Sequence, residues 1–244
     1  MAQICVFDIN GTLLDISGLD RTFEKVFGQM GLRKLWFPTM LHSSLVLTHA
    51  GRYEGLREIA AHTLSAMALA EGITPEAEEV YEILKGMETL PLFPDVQEGL
   101  ARFRAHGFRL VALTDSALTC TQEQLDRFNI RHHFEKVFSA DAVQASKPDR
   151  RPYELVAAEL GVAPKDLWMV TGHAWDATGA NHVGYSTALV MRKECGYHPG
   201  FPEPDVMAPN LLETPRAILA HESFPYGKVA PGVGLGLGGA PAYA

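Results

Sequence analysis

Residues 5–15, CVFDINGTLLD, decide the fold. An apolar run reaches Asp8, and Asn10-Gly11-Thr12 follow at once. Short apolar runs of this kind read as strands buried on both faces, and Asn-Gly marks a sharp turn. A carboxylate therefore stands at the carboxyl end of a buried strand, the edge where open parallel sheets bind ligands.

Similar short apolar runs recur along the chain. Residues 2–8 form the first, and 108–114 (FRLVALT), 136–139 (KVFS), 167–171 (LWMVT) and 187–191 (TALVM) follow. Helical periodicity occupies 95–106, 119–128, 152–160 and 176–183 between them. Strands alternating with helices predict an α/β fold: a Rossmann-like, three-layer core around a parallel sheet. Residues 16–91 break the rhythm, because helical periodicity runs through them, as in RYEGLREIAAHTLSAMALA at 52–70. They read as a helical cap inserted after the first strand, with LPLFPD at 90–95 as the return hinge. The expected division is a core of 1–15 and 92–222, a cap of 16–91, and a Gly/Pro-rich flexible tail of 223–244.

Composition limits the function. The 244 residues are 47% hydrophobic and carry a net charge of −8, which argues against a nucleic-acid or anionic-membrane surface. Cys5, Cys120 and Cys195 are widely spaced, which favours reduced thiols over a disulfide framework or a zinc site. No signal segment or membrane-length apolar run is evident. The expectation is a cytoplasmic protein acting on a small molecule, with no cofactor and no metal.

The polar residues at the strand ends are Asp8, Asn10 and Thr12, then Thr114 and Asp115, then Lys147, then Thr171, His173, Trp175 and Asp176. D-x-N-G-T-L, a strand ending T-D-S, K-P with Tyr153 six residues after Lys147, and AWDATGA occur in that order. This set resembles the haloacid dehalogenase superfamily, and within it the hydrolytic 2-haloacid dehalogenases, over about residues 3–190. The resemblance implies Asp8 as a nucleophile that forms an ester, later hydrolysed by water. It implies Lys147 as the cation that keeps Asp8 ionised, and Thr12 as a donor to that carboxylate. Thr114 and the backbone N–H groups after Asp8, beginning with Ile9, would hold the substrate carboxylate. Asp176, Thr171 and His173 would position Lys147 and the hydrolytic water, and Tyr153 would brace the lysine or the nucleophile. Taken singly, each residue has a blander reading: Asp8 as a turn carboxylate, Thr12 and Thr114 as caps, Trp175 as packing at the pocket edge.

Phosphatases of this superfamily place a second Asp two residues after the nucleophile and hold Mg²⁺ on paired acids. Here the +2 residue is Asn10, and Asp176 is the acid near the fourth strand, so a phosphatase is disfavoured.

The sequence also departs from the dehalogenases. Where they carry Tyr, a cap Arg after Leu-Trp, and two strand-end Asn residues, this chain has Asn10, Phe37 (in KLWFPTM), Asp115 and His173. A cation is lost and an anion gained where a halide would leave. At an effective dielectric of ~20, like charges ~4 Å apart repel by about 4 kcal/mol. A protonated ring amine fits that pattern better, and an azetidine-2-carboxylate hydrolase is a relative of these dehalogenases. The sequence therefore favours opening of L-azetidine-2-carboxylate to 4-amino-2-hydroxybutanoate. Asn10 and Asp115 would hold the ring N–H groups, and Trp36 and Phe37 would line the cap wall. Dehalogenation of an (S)-2-haloacid to the (R)-2-hydroxy acid is the alternative, and it gains if Arg33 or Arg52 supplies the missing cation. A non-catalytic carboxylate-binding module is a third reading. LHSSLVL at 41–47 offers an apolar face for a homodimer or for packing within the cap.

Overall fold

A computed structural model describes residues 3–223 except 29, 30 and 195. The expected tail, apart from residue 223, and Cys195 lie outside the described residues. Six strands form one parallel sheet in the order β3-β2-β1-β4-β5-β6. They are β1 (Ile4–Phe7), β2 (Arg109–Thr114), β3 (Lys136–Ser139), β4 (Leu167–Thr171), β5 (Ser186–Val190) and β6 (Val206–Ala208). The first five lie on the apolar runs, and β6 adds an edge.

Alternation along β1 builds both faces of the sheet. Cys5 and Phe7 point into one cluster with Leu100, Phe103, Phe134 and Ile218. Ile4 and Val6 point into the other, with Tyr153, Val156, Met169 and Ala180. Helices α5 (Val96–Ala105), α6 (Leu118–Arg127) and α9 (Thr214–Ser223) supply the first cluster, and α7 (Arg150–Leu160) and α8 (Ala174–His182) the second. After β3 the chain crosses back over β1 to β4, so the order in which strands are added reverses beside β1. That reversal opens a crevice at the carboxyl ends of the central strands, and Asp8 stands there, its N–H donating to the Val170 carbonyl at 3.1 Å.

The turn after Asp8 needs Gly11, whose φ is +83°; a Cβ there would also come within 2.4 Å of His173 Nε2. The chain then enters α1 (Asp20–Phe27), α2 (Leu32–His49), α3 (Leu56–Ala70) and α4 (Ala77–Glu88). The outgoing and returning segments pair, with Asp15 N–H on the Pro91 carbonyl at 2.7 Å and Phe93 N–H on Leu13 at 3.0 Å. Helix α2 is held to the sheet side by Thr48, whose hydroxyl accepts from the Ser146 N–H at 3.1 Å.

The Phe103 ring is fully buried and meets Phe7 and Phe108 edge-on, with centroids 5.0 and 5.3 Å away. Phe103→Ala leaves a cavity under the central strand and should cost about 3–5 kcal/mol, read as a lower urea midpoint with an unchanged m-value.

Candidate active site

The strand-end groups converge on one ammonium. Lys147 Nζ donates to Asp8 Oδ1 at 2.7 Å, to Asp176 Oδ2 at 3.1 Å and to the Leu113 carbonyl at 3.4 Å. All three of its donors have acceptors, and the side chain is 1% exposed. Its Nζ also lies 5.8 Å from the Trp175 ring centroid. The other oxygen of Asp8 accepts from Thr12 Oγ1 at 2.5 Å. Thr12 Oγ1 itself accepts from the Gly172 N–H at 2.7 Å, which leaves its hydroxyl proton for Asp8. Gly172 is required there, because a Cβ would lie 2.6 Å from the Gly11 carbonyl oxygen.

Burial raises the Asp8 carboxyl, but the charges of Lys147 and His173 and the hydrogen bonds from Lys147 and Thr12 outweigh it, so its pKa lies below the ordinary value. Asp176 moves the other way: burial and the neighbouring Asp8 charge exceed what Lys147 and Tyr153 return. Burial also opposes the Lys147 charge, yet Asp176, Asp8 and Asp115 together hold its pKa above the usual ammonium range. The pKa values of two carboxylates on one cation are thus pushed apart, with Asp8 the lower of the two. An ionised carboxylate held by a fixed cation, beside a cleft that Lys147 and His173 line, is equipped for nucleophilic attack.

Tyr153 touches this set through Asp176, donating to Oδ1 at 2.6 Å; it braces the partner of the lysine rather than the lysine itself. Thr171 accepts from the His173 N–H at 3.1 Å and so shapes the loop before α8. His173 Nε2 lies 2.9 Å from the Asn10 carbonyl and 3.8 Å from Asp8 Oδ2. A carbonyl only accepts, so Nε2 carries the proton in that contact. The ring is stacked between Phe37 and Trp175, with centroids 6.0 and 5.2 Å away.

The remaining candidates stand apart from the cleft lining. Ile9 is buried, and its carbonyl accepts from Thr12, Leu13 and Leu14. Thr114 Oγ1 accepts from the Ser116 N–H at 3.1 Å. Asp115 Oδ1 accepts from the Lys147 N–H at 2.8 Å, so this carboxyl holds the lysine loop. Asn10 Nδ2 donates to Ser116 Oγ at 3.0 Å, and its Oδ1 is buried with no partner. Trp36 is a correction. It was expected on the cap wall, but it is fully buried inside the helical block, donating to the Ala60 carbonyl at 3.2 Å and packing on Phe23. Phe37, its neighbour, lines the cleft.

The arginines named as substitutes for the missing cation do not approach Asp8 unpaired. Arg33 reaches the cleft, but its guanidinium is tied to Asp20 at 2.5 Å and Glu194 at 2.6 Å. Arg52 is exposed and does not line the cleft. Sequence reasoning missed Arg192, which clamps the turn by donating twice to the Thr12 carbonyl while pairing with Asp95. It also missed Gly179, where a Cβ would meet Pro148 at 2.4 Å and the Tyr153 hydroxyl at 2.7 Å. Arg192 carries no local sequence signal, since its partners lie far along the chain, whereas Gly179 stands inside the AWDATGA segment. No group of three metal-ligating side chains occurs among the described residues, and no described helix is long and apolar enough to cross a membrane.

The model of the haloacid dehalogenase-like hydrolase family matches residues 2–184. The chain is 26% identical over 219 residues to (S)-2-haloacid dehalogenase 1 of a Pseudomonas species, covering 89% of this chain and 96% of that one. It is 27% identical over 198 residues to the (S)-2-haloacid dehalogenase of Xanthobacter autotrophicus, covering 79% and 76%. The solved structure of L-2-haloacid dehalogenase from Xanthobacter autotrophicus with chloropropionic acid covalently bound shares the fold. Its TM-score is 0.81 at 22% identity, over 90% of this chain and 99% of that one.

Burial pushes the Asp115 carboxyl up to about 7, against the pull of the Lys147 charge and backbone N–H. The folded state then binds this proton more tightly than the unfolded chain, where the ordinary value is 3.8. Stability from this group is complete at low pH and is lost as pH rises through about 7. Asp115→Asn keeps an acceptor for the Lys147 N–H and removes the titration. The Tm of the parent should fall relative to Asp115→Asn between pH 5 and pH 8.

Proposed function

The chain belongs to the haloacid dehalogenase-like hydrolases, and from that premise we propose that it displaces a leaving group at C2 of a small 2-substituted carboxylate, with Asp8 as nucleophile. One observation carries the reading: the Asp8 carboxylate is held between Lys147 Nζ and Thr12 Oγ1, next to the cleft that Lys147 and His173 line. One carboxylate oxygen attacks C2, the C2-leaving-group bond breaks with its electron pair, and an aspartyl ester forms with inversion. Water then adds to the carboxyl carbon of Asp8, the ester C–O bond of that carbon breaks, and the 2-hydroxy acid leaves. Lys147 remains an ammonium throughout, compensating the charge that Asp8 loses on alkylation and regains on hydrolysis. His173, fixed between two aromatic rings, orients the attacking water.

Similarity to (S)-2-haloacid dehalogenases supports a halide as the leaving group, giving the (R)-2-hydroxy acid. This puts dehalogenation ahead of the ring opening favoured by sequence. The charge objection also weakens, since Asp115 is turned to the Lys147 N–H and titrates at about 7 rather than as a fixed anion. A specific observation keeps the ring-amine reading as the second. Asn10 Oδ1, two residues from the nucleophile, is a buried acceptor without a donor, and leaving such a group unpaired is costly. The N–H of an azetidine would satisfy it, whereas a halide would not.

Purified protein in EDTA is given (S)-2-chloropropanoate and, separately, L-azetidine-2-carboxylate, and the 2-hydroxy acids are quantified. Halide release with (R)-2-hydroxypropanoate formation is expected, and Asp8→Asn should lower it by on the order of 10³-fold or more. Azetidine opening without halide release would transfer the reading to the ring amine. Turnover of neither would overturn it.

A further inference from the structure

The cleft lined by Lys147 and His173, the two residues that approach Asp8 at 2.7 and 3.8 Å, has a volume of about 900 Å³. That is near the upper end of what drug-sized ligands occupy, and a three-carbon acid has only about six heavy atoms. The excess space is organised. Helix α2 presents Phe37, Leu41 and Leu45 to the cleft at intervals of four residues, which places them on one helix face. Phe37 stacks on His173, the ring 3.8 Å from Asp8, so the stripe begins opposite the nucleophile. At 1.5 Å per residue it runs roughly 12 Å along the helix and ends at Leu45, which is 39% exposed. Trp175 offers a further aromatic wall in the same cleft. On α2 the charged lining residues Arg33 and Lys34 precede Phe37, with Glu194 paired to Arg33, and His42 lies beside the stripe.

We propose that the preferred substrate of this site is a 2-substituted carboxylate with an extended apolar chain beyond C2, seated on the Phe37–Leu41–Leu45 stripe. This rests on the reading of Asp8 as the C2 nucleophile. The reacting carbon and its carboxylate stay at the strand ends, and the alkyl chain runs outward along α2. Each buried methylene strengthens binding by about fourfold, so even a partly covered chain is distinguished from a methyl group. The apolar chain is favoured over a second copy of the protein as the occupant because the stripe is continuous with the catalytic cleft.

The test measures binding by calorimetry for two reaction products, (R)-2-hydroxyoctanoate and (R)-2-hydroxypropanoate, and turnover for (S)-2-bromooctanoate and (S)-2-bromopropanoate. The octanoate product should bind at least tenfold tighter, and kcat/KM should favour the long substrate by a similar factor. Leu45→Asp, at a half-exposed position, should collapse both ratios by about tenfold. Equal binding of the two products would overturn the chain-length inference, even if both bromoacids turn over. Tighter binding of the long product with turnover of neither bromoacid would support the stripe and refute halide displacement. The oligomeric state of Leu45→Asp is read by sedimentation. A parent dimer that dissociates while the ratios stay unchanged would assign the stripe to a second copy and overturn the proposal.

Discussion

The site depends on one buried ammonium. Lys147 Nζ sits among Asp8, Asp176 and the Leu113 carbonyl, with no donor to spare. A lone buried cation or carboxylate would cost several kcal/mol, so none of these groups is affordable without the others. Their shared geometry fixes which carboxylate reacts. Asp176 is enclosed, with both oxygens engaged by Lys147 and Tyr153. Asp8 is 5% exposed, and His173 beside it lines the cleft. The sheet supplies the placement: Asp8 and Asp176 follow the adjacent strands β1 and β4, and the reversal of strand order keeps the space beyond them open.

Around that centre the surroundings of the ion set are aromatic on one side and ion-paired on the other. Phe37 brings an aromatic face to the cleft, and His173 stacks on it. The guanidiniums lining the cleft are committed elsewhere, Arg33 to Asp20 and Glu194, and Arg192 to Asp95 and the Thr12 carbonyl. The result is a cleft whose lining carries ion-paired groups and one apolar run, Phe37–Leu41–Leu45 on α2.

Much of this was legible because strand ends are readable. An apolar run ending in a polar residue places that residue at the carboxyl edge of a parallel sheet, which locates Asp8, whereas Lys147 and Asp176 lie beyond the ends of β3 and β4 and are marked by the resemblance carried in K-P and AWDATGA. What failed has a geometric cause. Trp36 and Phe37 are adjacent on a helix, about 100° apart, so they cannot face the same way; Trp36 packs inward and Phe37 outward. Asp115 is polar at a strand end like Asp8, but its side-chain direction is set by the Lys147 N–H, contributed from 32 residues away. Strand β6 has three residues, too few for an alternation to register, and its place follows from pairing with β5. The clamp by Arg192 joins residues 180 apart and leaves no trace in local sequence.

The central claim is that Asp8 becomes covalently bonded to substrate and is hydrolysed at its own carboxyl carbon. Repeated turnover of (S)-2-chloropropanoate in oxygen-18 water, followed by mass analysis of the peptide containing Asp8, tests it most directly. The account predicts heavy oxygen incorporated into Asp8, with the first turnover delivering light oxygen to the product. Label appearing in the first product while the Asp8 peptide stays light would mean that water attacks C2 directly, and would contradict the account.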